Sequence, residues 1–560
     1  MSQTPRLTAE QQSELLGQML IQKRMLDAVE LEYVRQKQAA GGGLLRTILV
    51  QEGLVGEQDV VRELSGLQGL EYVEVATLDA PDNALLAMFP RELCLTSQFL
   101  PLKKQGQTLT ILLGDNEPDL VAQLVLRRTG MRTHFVRGQF SDVMRFIRHC
   151  YHFAHHPPEE SVKKETDRLA RDTEHAHSPE QFLDSLMHWA VRERATDIHI
   201  TPSPRGFHVL CRIDGVLQPM IALPPSLSRL TSYIKLRAEM DISEQRRPQD
   251  GSFRVLTFEV PNTIRVSTIV TEYGERIVMR ILPEAHDIQD LASLGFFEED
   301  VAAIARVMEN PVGMVLITGP TGSGKSSTLH AGLRMQHLIE RNVLTVEDPL
   351  EYRVPAAGQT EVNRRAGYDF STALRHFLRH DPDVILVGEM RDAETAQAAF
   401  DAAATGHLVL TTLHVTTVFG VVPRLRPMGL SPQVIAENLK LVINQRLVRK
   451  LCTNCRAEAP FSDPECEWLG LPQGTLGYRA MGCARCRGTG FHGRLPLYEL
   501  LAVDENMANA IADDVGREAI RTLAFGQGFK HMNTVSRRRV LLGQTTTAEI
   551  FRVTGEGPER

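Results

Sequence analysis

The stretch Met314-Val315-Leu316-Ile317-Thr318 and the octapeptide that follows it, Gly319-Pro320-Thr321-Gly322-Ser323-Gly324-Lys325-Ser326, decide the fold of this chain. The octapeptide fits the pattern G-x-x-x-x-G-K-[ST], in which glycines let the backbone curl around a phosphate group. The apolar run before it is typical of a buried strand, and Leu329 and Leu333 follow at helical spacing. The order of strand, loop and helix therefore predicts a phosphate-binding loop in an α/β domain. A glycine-rich surface turn beside a lysine is the alternative.

The residue types of this loop predict their roles. Backbone N–H groups and the positive end of the following helix attract phosphate oxygens. Lys325 is predicted to neutralise the β- and γ-phosphates of ATP, and Ser326 is predicted to hold Mg²⁺. The predicted nucleotide-binding residues are Gly319, Pro320, Thr321, Gly322, Ser323, Gly324, Lys325, Ser326 and Ser327.

Hydrolysis also needs a carboxylate near the phosphates, because a lysine and a hydroxyl do not activate water by themselves. Asp383 begins the run Val384-Ile385-Leu386-Val387, and Glu389 follows it. Ligands bind beyond the carboxyl ends of parallel strands, so Glu389 is the favoured residue. By the same argument we predict catalytic groups after two further apolar runs: Glu347 and Glu351, beside Asp348, after Val343–Val346, and His414 after Leu408–Leu413. A helix cap at Glu347-Asp348 and a structural histidine at His414 remain alternatives.

Composition limits the class of protein. The 560-residue chain is too long for one compact core, so about three or four domains are expected. Its net charge of −7 disfavours nucleic acid as a partner, because phosphate-binding surfaces carry a basic excess. No apolar run reaches the length of a membrane span, and Met1–Gln11 lacks an apolar signal core. We therefore expect a cytoplasmic protein.

Changes in pattern divide the chain into four stretches. Residues 1–150 are helix-rich and predict a helical N-terminal domain with a regulatory or docking role, and residues 151–178 predict a linker. Residues 179–290 predict a small α+β domain with hairpins at Asp214-Gly215 and Tyr273-Gly274. Residues 291–560 alternate apolar runs with helical stretches, which predicts a largely parallel sheet and a helical C-terminal part.

Four of the eight cysteines form two identical Cys-x-x-Cys pairs, Cys452/Cys455 and Cys483/Cys486. Two such pairs suit a closed tetrahedral Zn²⁺ site, and we predict a zinc-binding subdomain at about residues 450–495. Four reduced cysteines or a redox pair are the alternatives. Cys466 lies between the pairs and is predicted to be a bystander.

Several motifs together resemble the type II secretion and type IV pilus ATPases over about residues 180–505. The loop resembles that family's P-loop, and three later stretches resemble its Asp box, Walker B and His box: Thr345–Glu351, Val387–Asp392 and Thr405–His414. Three upstream stretches resemble its second N-terminal domain: Ala195–Ile200, Arg246–Gly251 and Arg265–Thr268. The resemblance implies a RecA-like ATPase domain preceded by a PAS-like α+β domain.

The resemblance also implies a function. It implies a homohexameric motor that hydrolyses ATP, associates peripherally with the inner membrane and drives pilin polymerisation through an inner-membrane platform protein. ATP would sit between two domains, with Arg265, Arg276 and Arg280 reaching its phosphates. Pilus retraction ATPases generally lack zinc knuckles and a long N-terminal extension, so the resemblance implies an extension or secretion motor. Pilus extension is the predicted function, with a type II secretion ATPase as the alternative. Val415-Thr416-Thr417 replaces the family's polar step after the His-box histidine, so a nucleotide-binding scaffold with little hydrolysis also remains open.

The first 70 residues resemble a tandem motif that binds cyclic di-GMP in related ATPases. Leu15 and Leu44 stand where each copy normally opens with arginine, and Arg46 replaces a glycine. Apolar side chains cannot bind phosphate or guanine edges as arginine does, so we predict that cyclic di-GMP binds weakly or not at all. A helical docking domain for the membrane platform is the alternative.

Overall fold

A computed structural model describes residues 9–23, 25–155, 157–172, 178–283 and 290–557. The chain splits into two compact units, the first formed by Met1–Leu16 with Glu57–His286 and the second by Gly17–Gly56 with Asp287–Arg560. Residues 1–8, 24, 156, 173–177, 284–289 and 558–560 lie outside the described residues, and parts of the predicted N-terminal domain, linker and domain boundary near 290 fall on them. Within the described ranges, no helix combines the length and the apolar character needed to cross a membrane.

The helices alternate with strands along most of the chain. In chain order they are α1 (Ala9–Gln22), α2 (Ala28–Gly41), α3 (Leu45–Gln51), α4 (Glu57–Gln68), α5 (Asn83–Leu86), α6 (Arg91–Thr96), α7 (Pro118–Thr129), α8 (Phe140–His155), α9 (Pro158–Arg171), α10 (Glu180–Arg192), α11 (Arg229–Arg237), α12 (Leu291–Leu294), α13 (Glu298–Met308), α14 (Lys325–Leu333), α15 (Phe370–Phe377), α16 (Ala393–Ala404), α17 (Val421–Leu425), α18 (Pro432–Asn438), α19 (Asp463–Leu469), α20 (Glu505–Ala512), α21 (Arg517–Gly526), α22 (Met532–Leu541) and α23 (Thr547–Thr554).

The first unit contains a sheet that corrects the prediction of a helical N-terminal domain. Its strands are β1 (Glu71–Tyr72), β2 (Phe99–Gln105), β3 (Thr108–Leu113) and β4 (Arg132–Arg137), in the order β1-β4-β3-β2. Leu109, Ile111 and Leu113 are fully buried in β3 and pack in one core with Val121 and Val125 of α7. The sheet is stable because helix α7 packs against its short β-branched and leucine-rich strands. The helical spacing of apolar residues did not reveal these strands.

A second sheet in the same unit has six antiparallel strands. They are β5 (Ala195–Ser203), β6 (Gly206–Ile213), β7 (Val216–Leu223), β8 (Gln249–Thr257), β9 (Val260–Thr271) and β10 (Gly274–Pro283), in the order β7-β6-β5-β10-β9-β8. Both predicted hairpins are confirmed. Asp214 and Gly215 join β6 to β7 with φ of 48° and 82°, the left-handed values that a tight hairpin turn requires.

Residues 158–171 belong to the predicted linker, which was expected to be partly helical near Asp167–Arg171. They form α9, and Val162 and Leu169 are 0% and 1% exposed in the core beneath the six-stranded sheet. Helix α9 is amphipathic: its charged residues face outward, while a few well-spaced apolar residues bind it to the core.

The second unit is built on a seven-stranded sheet. Its members are β11 (Gly313–Thr318), β12 (Val343–Glu347), β13 (Gly358–Glu361), β14 (Val384–Val387), β15 (Leu408–Leu413), β16 (Leu439–Leu451) and β19 (Phe491–Ala502), in the order β13-β12-β14-β15-β11-β16-β19. Neighbours are parallel throughout except β16 and β19. The predicted parallel sheet is confirmed. Strands β11, β14 and β15 are buried along their whole length, because helices cover both faces of a parallel sheet.

A smaller hairpin in the second unit pairs β17 (Ala457–Pro460) with β18 (Leu476–Arg479). It lies between the two Cys-x-x-Cys pairs in sequence, and Cys466 is buried at 1% exposure in α19 between its strands. The chain as a whole is therefore a mixed α/β protein.

Candidate nucleotide and metal sites

The glycines of the loop between β11 and α14 adopt conformations and contacts that a larger residue would not fit. Gly319, Gly322 and Gly324 have φ of 141°, 76° and 86°, in the range that favours glycine. A Cβ on Gly319 would lie 2.3 Å from the carbonyl oxygen of Gln445. The loop therefore curls tightly against β16 and leads directly into the N-terminus of α14, the geometry that presents N–H groups to an anion.

Lys325 is the first residue of α14, and its side chain lies against the loop. Its Nζ donates to the carbonyl oxygens of Gly319 and Pro320, at 3.0 and 3.1 Å. Burial lowers the pKa of Lys325 from its ordinary value, while the charges of Glu389 and Glu351 oppose that change. The loop thus holds its cation within the field of two carboxylates.

The strand ends converge in the way that the parallel sheet requires. Strands β12, β14, β15 and β11 are successive neighbours, so the residues after each lie along one edge. Glu389 follows β14 and His414 follows β15, and His414 Nε2 lies 3.6 Å from Glu389 Oε2. Arg391 Nε pairs with the other oxygen of Glu389 at 2.7 Å. A carboxylate, a histidine and an arginine therefore meet at the edge that carries the loop.

Asp383 lies at the opposite end of the same strand. Its Oδ2 accepts a hydrogen bond from the backbone N of Asn342 at 2.7 Å, just before β12 begins. This carboxylate serves a turn between strands, and the preference for Glu389 over Asp383 is consistent with that position.

Glu347 has a different environment from Glu389. It is 4% exposed, and its Oε1 accepts from Thr345 Oγ1 at 2.9 Å and from Gln359 Nε2 at 3.3 Å. Its Oε2 lies 3.1 Å from Nε2 of His330, a residue of α14 that is 1% exposed. Both carboxylate oxygens are thus engaged inside the protein, and the predicted catalytic role of Glu347 stays a prediction.

His330 and Tyr352 are residues that sequence reasoning missed. Burial by itself lowers the pKa of His330, but the contact with Glu347 and the bond from Nδ1 to the Ser326 carbonyl outweigh it, and the pKa is raised. The hydroxyls of Tyr352 and Ser327 lie 2.8 Å apart. The helix after the loop is therefore fastened to the segment after β12, which also carries the exposed Glu351.

The remaining loop residues and the Asp box differ in exposure. Pro320, Thr321 and Gly322 are exposed and Ser323 is 2% exposed, while Ser326 is partly buried. Asp348 pairs with Arg364 at 3.0 Å. A loop that binds a ligand on one side needs an exposed tip, here residues 320–322, and a buried base, here Ser323.

The three predicted phosphate-binding arginines lie on one face of the six-stranded sheet in the first unit. Arg265 of β9 pairs in register with Arg280 of β10, and Arg276 is four residues earlier on the same strand. Arg280 Nε binds Asp197 at 2.9 Å, and Arg276 lies 3.3 Å from Nδ1 of His199. Their predicted contact with phosphates stays a prediction.

The two Cys-x-x-Cys pairs come together in the second unit, and all four are free cysteines whose Sγ atoms lie within 4.8 Å of one another. The Sγ distances are 3.9 Å for Cys452–Cys483 and 3.7 Å for Cys455–Cys486 and Cys483–Cys486. A tetrahedral site with Zn–S bonds of about 2.3 Å has S···S edges of about 3.8 Å. The sulfurs therefore have the spacing of a zinc site.

Backbone amides support the charge that thiolate ligands carry. The N–H of Gly482 points to Cys455 Sγ at 3.3 Å, and the N–H of Gly490 points to Cys486 Sγ at 3.2 Å. Such donors orient metal-binding sulfurs, and the donor set fits Zn²⁺. A Cβ on Gly482 would lie 2.6 Å from the Gly488 carbonyl, so this knuckle needs glycine for its close approach.

Comparison with known proteins identifies the family. Residues 172–552, more than half of the chain, match the family described as Type II/IV secretion system protein. The chain belongs to this family of secretion and pilus ATPases. A second match, to the MshEN domain, covers residues 68–157.

Curated members of the type II/IV secretion ATPase family resemble the chain over long alignments. The type IV pilus assembly ATPase PilB of Thermus thermophilus is 36% identical over 537 residues, 92% of this chain and 59% of its own length. PilB of Myxococcus xanthus is 30% identical over 97% of this chain and 99% of its own length. The type II secretion system protein E of Pectobacterium carotovorum is 40% identical over 67% of this chain and 76% of its own length. The chain thus spans about three fifths of the Thermus protein.

Proposed function

We propose that this protein is a hexameric motor that hydrolyses ATP to drive pilin polymerisation during type IV pilus extension, peripherally bound at the cytoplasmic side of the inner membrane. The observation that carries the proposal is the convergence of Lys325, Glu389 and His414 where the strands of one parallel sheet end. The pilus assembly ATPase PilB of Myxococcus xanthus, aligned over 97% of the chain, supports a role in pilus extension.

The proposed chemistry follows from the groups at this edge. The loop N–H groups and Lys325 bind the phosphates, and Lys325 exchanges its bonds to the Gly319 and Pro320 carbonyls for phosphate oxygens. Glu389 orients the attacking water. His414, whose Nε2 lies 3.6 Å from Glu389 Oε2, contacts the γ-phosphate. Ser326 would hold Mg²⁺, which would neutralise phosphate charge. The negative charge of Glu351 acts on Lys325 together with that of Glu389.

The proposal includes a division of labour along the chain. Residues 291–560 form a RecA-like ATPase domain, residues 179–290 a PAS-like domain, and residues 1–150 a regulatory or docking domain that contacts the platform protein. Zn²⁺ held by Cys452, Cys455, Cys483 and Cys486 is structural, because four sulfurs close the coordination sphere and leave no position for substrate.

A type II secretion ATPase is the second candidate function. The secretion protein of Pectobacterium has a higher identity, 40%, over its shorter alignment. The same site would then drive assembly of a pseudopilus. A scaffold with little hydrolysis is a candidate of another class, favoured by Val415-Thr416-Thr417 after His414.

Steady-state ATP hydrolysis tests the proposal. Full-length protein with zinc present should release phosphate, and Lys325→Ala should abolish that activity because the loop loses its phosphate-neutralising charge. Wild-type activity no higher than that of Lys325→Ala would contradict the motor and favour the scaffold.

Deletion of the gene separates pilus extension from secretion: the first predicts loss of surface pili, and the second predicts loss of an exported protein with pili intact.

A further inference from the structure

Gln445 is a buried side chain that contacts the phosphate-binding loop at two points. It lies on β16, beside β11, and is 2% exposed. Its Nε2 donates to the carbonyl oxygen of Ser323 at 2.8 Å, and its Oε1 accepts from Thr328 Oγ1 at 2.8 Å. One amide therefore links the base of the loop to the first turn of α14, with its donor and its acceptor both used.

The two outer glycines of the loop are packed against the same residue. A Cβ on Gly319 would lie 2.3 Å from the Gln445 carbonyl oxygen, and a Cβ on Gly324 would lie 2.8 Å from Gln445 Nε2. The loop begins and ends in close contact with Gln445. The position of this residue on β16 therefore fixes how tightly the loop curls.

We propose that Gln445 is a positioning residue for nucleotide binding, which holds the loop in the curvature that aims its N–H groups at the phosphates. The inference rests on the proposed function only in placing a nucleotide at this loop. Loss of the amide leaves the Ser323 carbonyl and the Thr328 hydroxyl without partners in a buried site, and the loop relaxes to recover them.

The chemistry of the amide makes the proposal specific. Gln445→Met keeps the volume and removes both hydrogen bonds. Gln445→Glu keeps the acceptor for Thr328 but sets an anion against the Ser323 carbonyl. Both variants should weaken nucleotide binding, and the charged variant should weaken it more, because its carboxylate also repels phosphate.

A matched control separates positioning from stability. Gln336 is a second buried glutamine of the same unit, 0% exposed, whose Nε2 donates to the Met308 carbonyl at 3.1 Å, away from the loop. Gln336→Met should lower the melting temperature by an amount similar to Gln445→Met while leaving nucleotide affinity unchanged.

The experiment is a titration of full-length protein with MgADP, which reports binding independently of hydrolysis. We expect Gln445→Met to raise the dissociation constant at least fivefold relative to Gln336→Met, and the KM for ATP to rise by a larger factor than kcat falls. A change below fivefold would overturn the proposal. If Gln445→Met does not fold, Thr328→Val serves as the test variant, and Thr328→Ser, which keeps the hydroxyl, serves as its control. Weaker MgADP binding by the valine variant alone supports the proposal. Equal MgADP binding by the two variants overturns it.

The readout also separates this inference from the proposed function. Wild-type protein that binds MgADP without hydrolysing ATP would defeat the motor while leaving the Gln445 comparison decisive. Wild-type protein that does not bind MgADP would overturn both.

Discussion

At the scale of single residues, Glu347 and His330 form a buried pair whose loss should cost stability. Both are nearly inaccessible, and Glu347 accepts further hydrogen bonds from Thr345 and Gln359. Removing one member of a buried pair leaves the other uncompensated, a cost of about 3–5 kcal/mol. The same pair ties the segment after β12 to the helix of the phosphate-binding loop.

We therefore expect Glu347→Ala to lower the free energy of unfolding by about 3 kcal/mol. Urea denaturation of wild type, Glu347→Ala, His330→Ala and the double variant measures it. The double variant should lose less than the sum of the two single losses, because the second change removes a group that the first had already left unpaired. Additive losses, or a loss below about 1 kcal/mol, would contradict the pairing.

His149 of α8 makes the stability of the first unit depend on pH. Burial, with Arg145 and Arg192 nearby, lowers the pKa of His149 from 6.5 to about 3, so the folded protein keeps the ring neutral. The unfolded chain binds a proton below its ordinary pKa of 6.5, and stability falls as the pH drops through that value towards 3. The ring lies against Phe258, with centroids 4.0 Å apart.

The His149→Phe variant tests this dependence. Between about pH 7.5 and about pH 5.5 the wild-type melting temperature should fall by more than that of the variant, since phenylalanine binds no proton. Calorimetric scans at both pH values make the comparison, with His376→Phe, on exposed α15 surface, as the control that should behave as wild type. Equal falls in wild type and His149→Phe would show that His149 is not the group responsible.

At the scale of elements, the sequence predicted the parts that carry short-range signals. The loop and strands β11, β12, β14 and β15 were predictable because largely buried parallel strands are continuous apolar runs that end in polar residues. The hairpin between β6 and β7 followed from Asp214-Gly215. The packing of α9 against the six-stranded sheet was not predicted because those strands are distant in sequence. The sheet of β1 to β4 was not predicted from helical spacing, although β2 and β3 are neighbours in sequence and pair directly.

Two residues of the site were missed because their contacts join distant parts of the chain. Gln445 and His330 lie within ordinary strand and helix patterns, and only the fold brings Gln445 to Ser323 or His330 to Glu347. A buried polar residue in an apolar run was the available signal, since such groups need partners. Gln445 fits that signal, because apolar residues precede it on β16.

The cysteine knuckles should depend on metal for their structure. We expect about one zinc per chain, and removal by a chelator should increase amide hydrogen exchange in Cys452–Cys455 and Cys483–Cys486, because binding energy for structural zinc is folding energy. Cys466→Ser should retain zinc, while Cys483→Ser should lose it. Less than about half an equivalent of zinc in the wild type would contradict the site.

At the scale of the whole molecule, the N-terminal tandem motif bears on regulation. Leu16 and Leu45 are 2% and 3% exposed and serve the core, while Leu44 is 39% exposed. Calorimetric titration of the full chain with cyclic di-GMP should give a dissociation constant weaker than about 10 μM, because leucines at 15 and 44 offer no charge-assisted hydrogen bond. Micromolar or tighter binding would contradict this.

The proposed motor depends on strand ends that bring a lysine and a carboxylate to one triphosphate. The Glu389→Gln variant tests it most directly, because glutamine keeps the size of the side chain and removes the charge that orients water. This variant should bind MgATP with wild-type affinity and hydrolyse it at least about 100-fold more slowly. Hydrolysis by Glu389→Gln at the wild-type rate would contradict it.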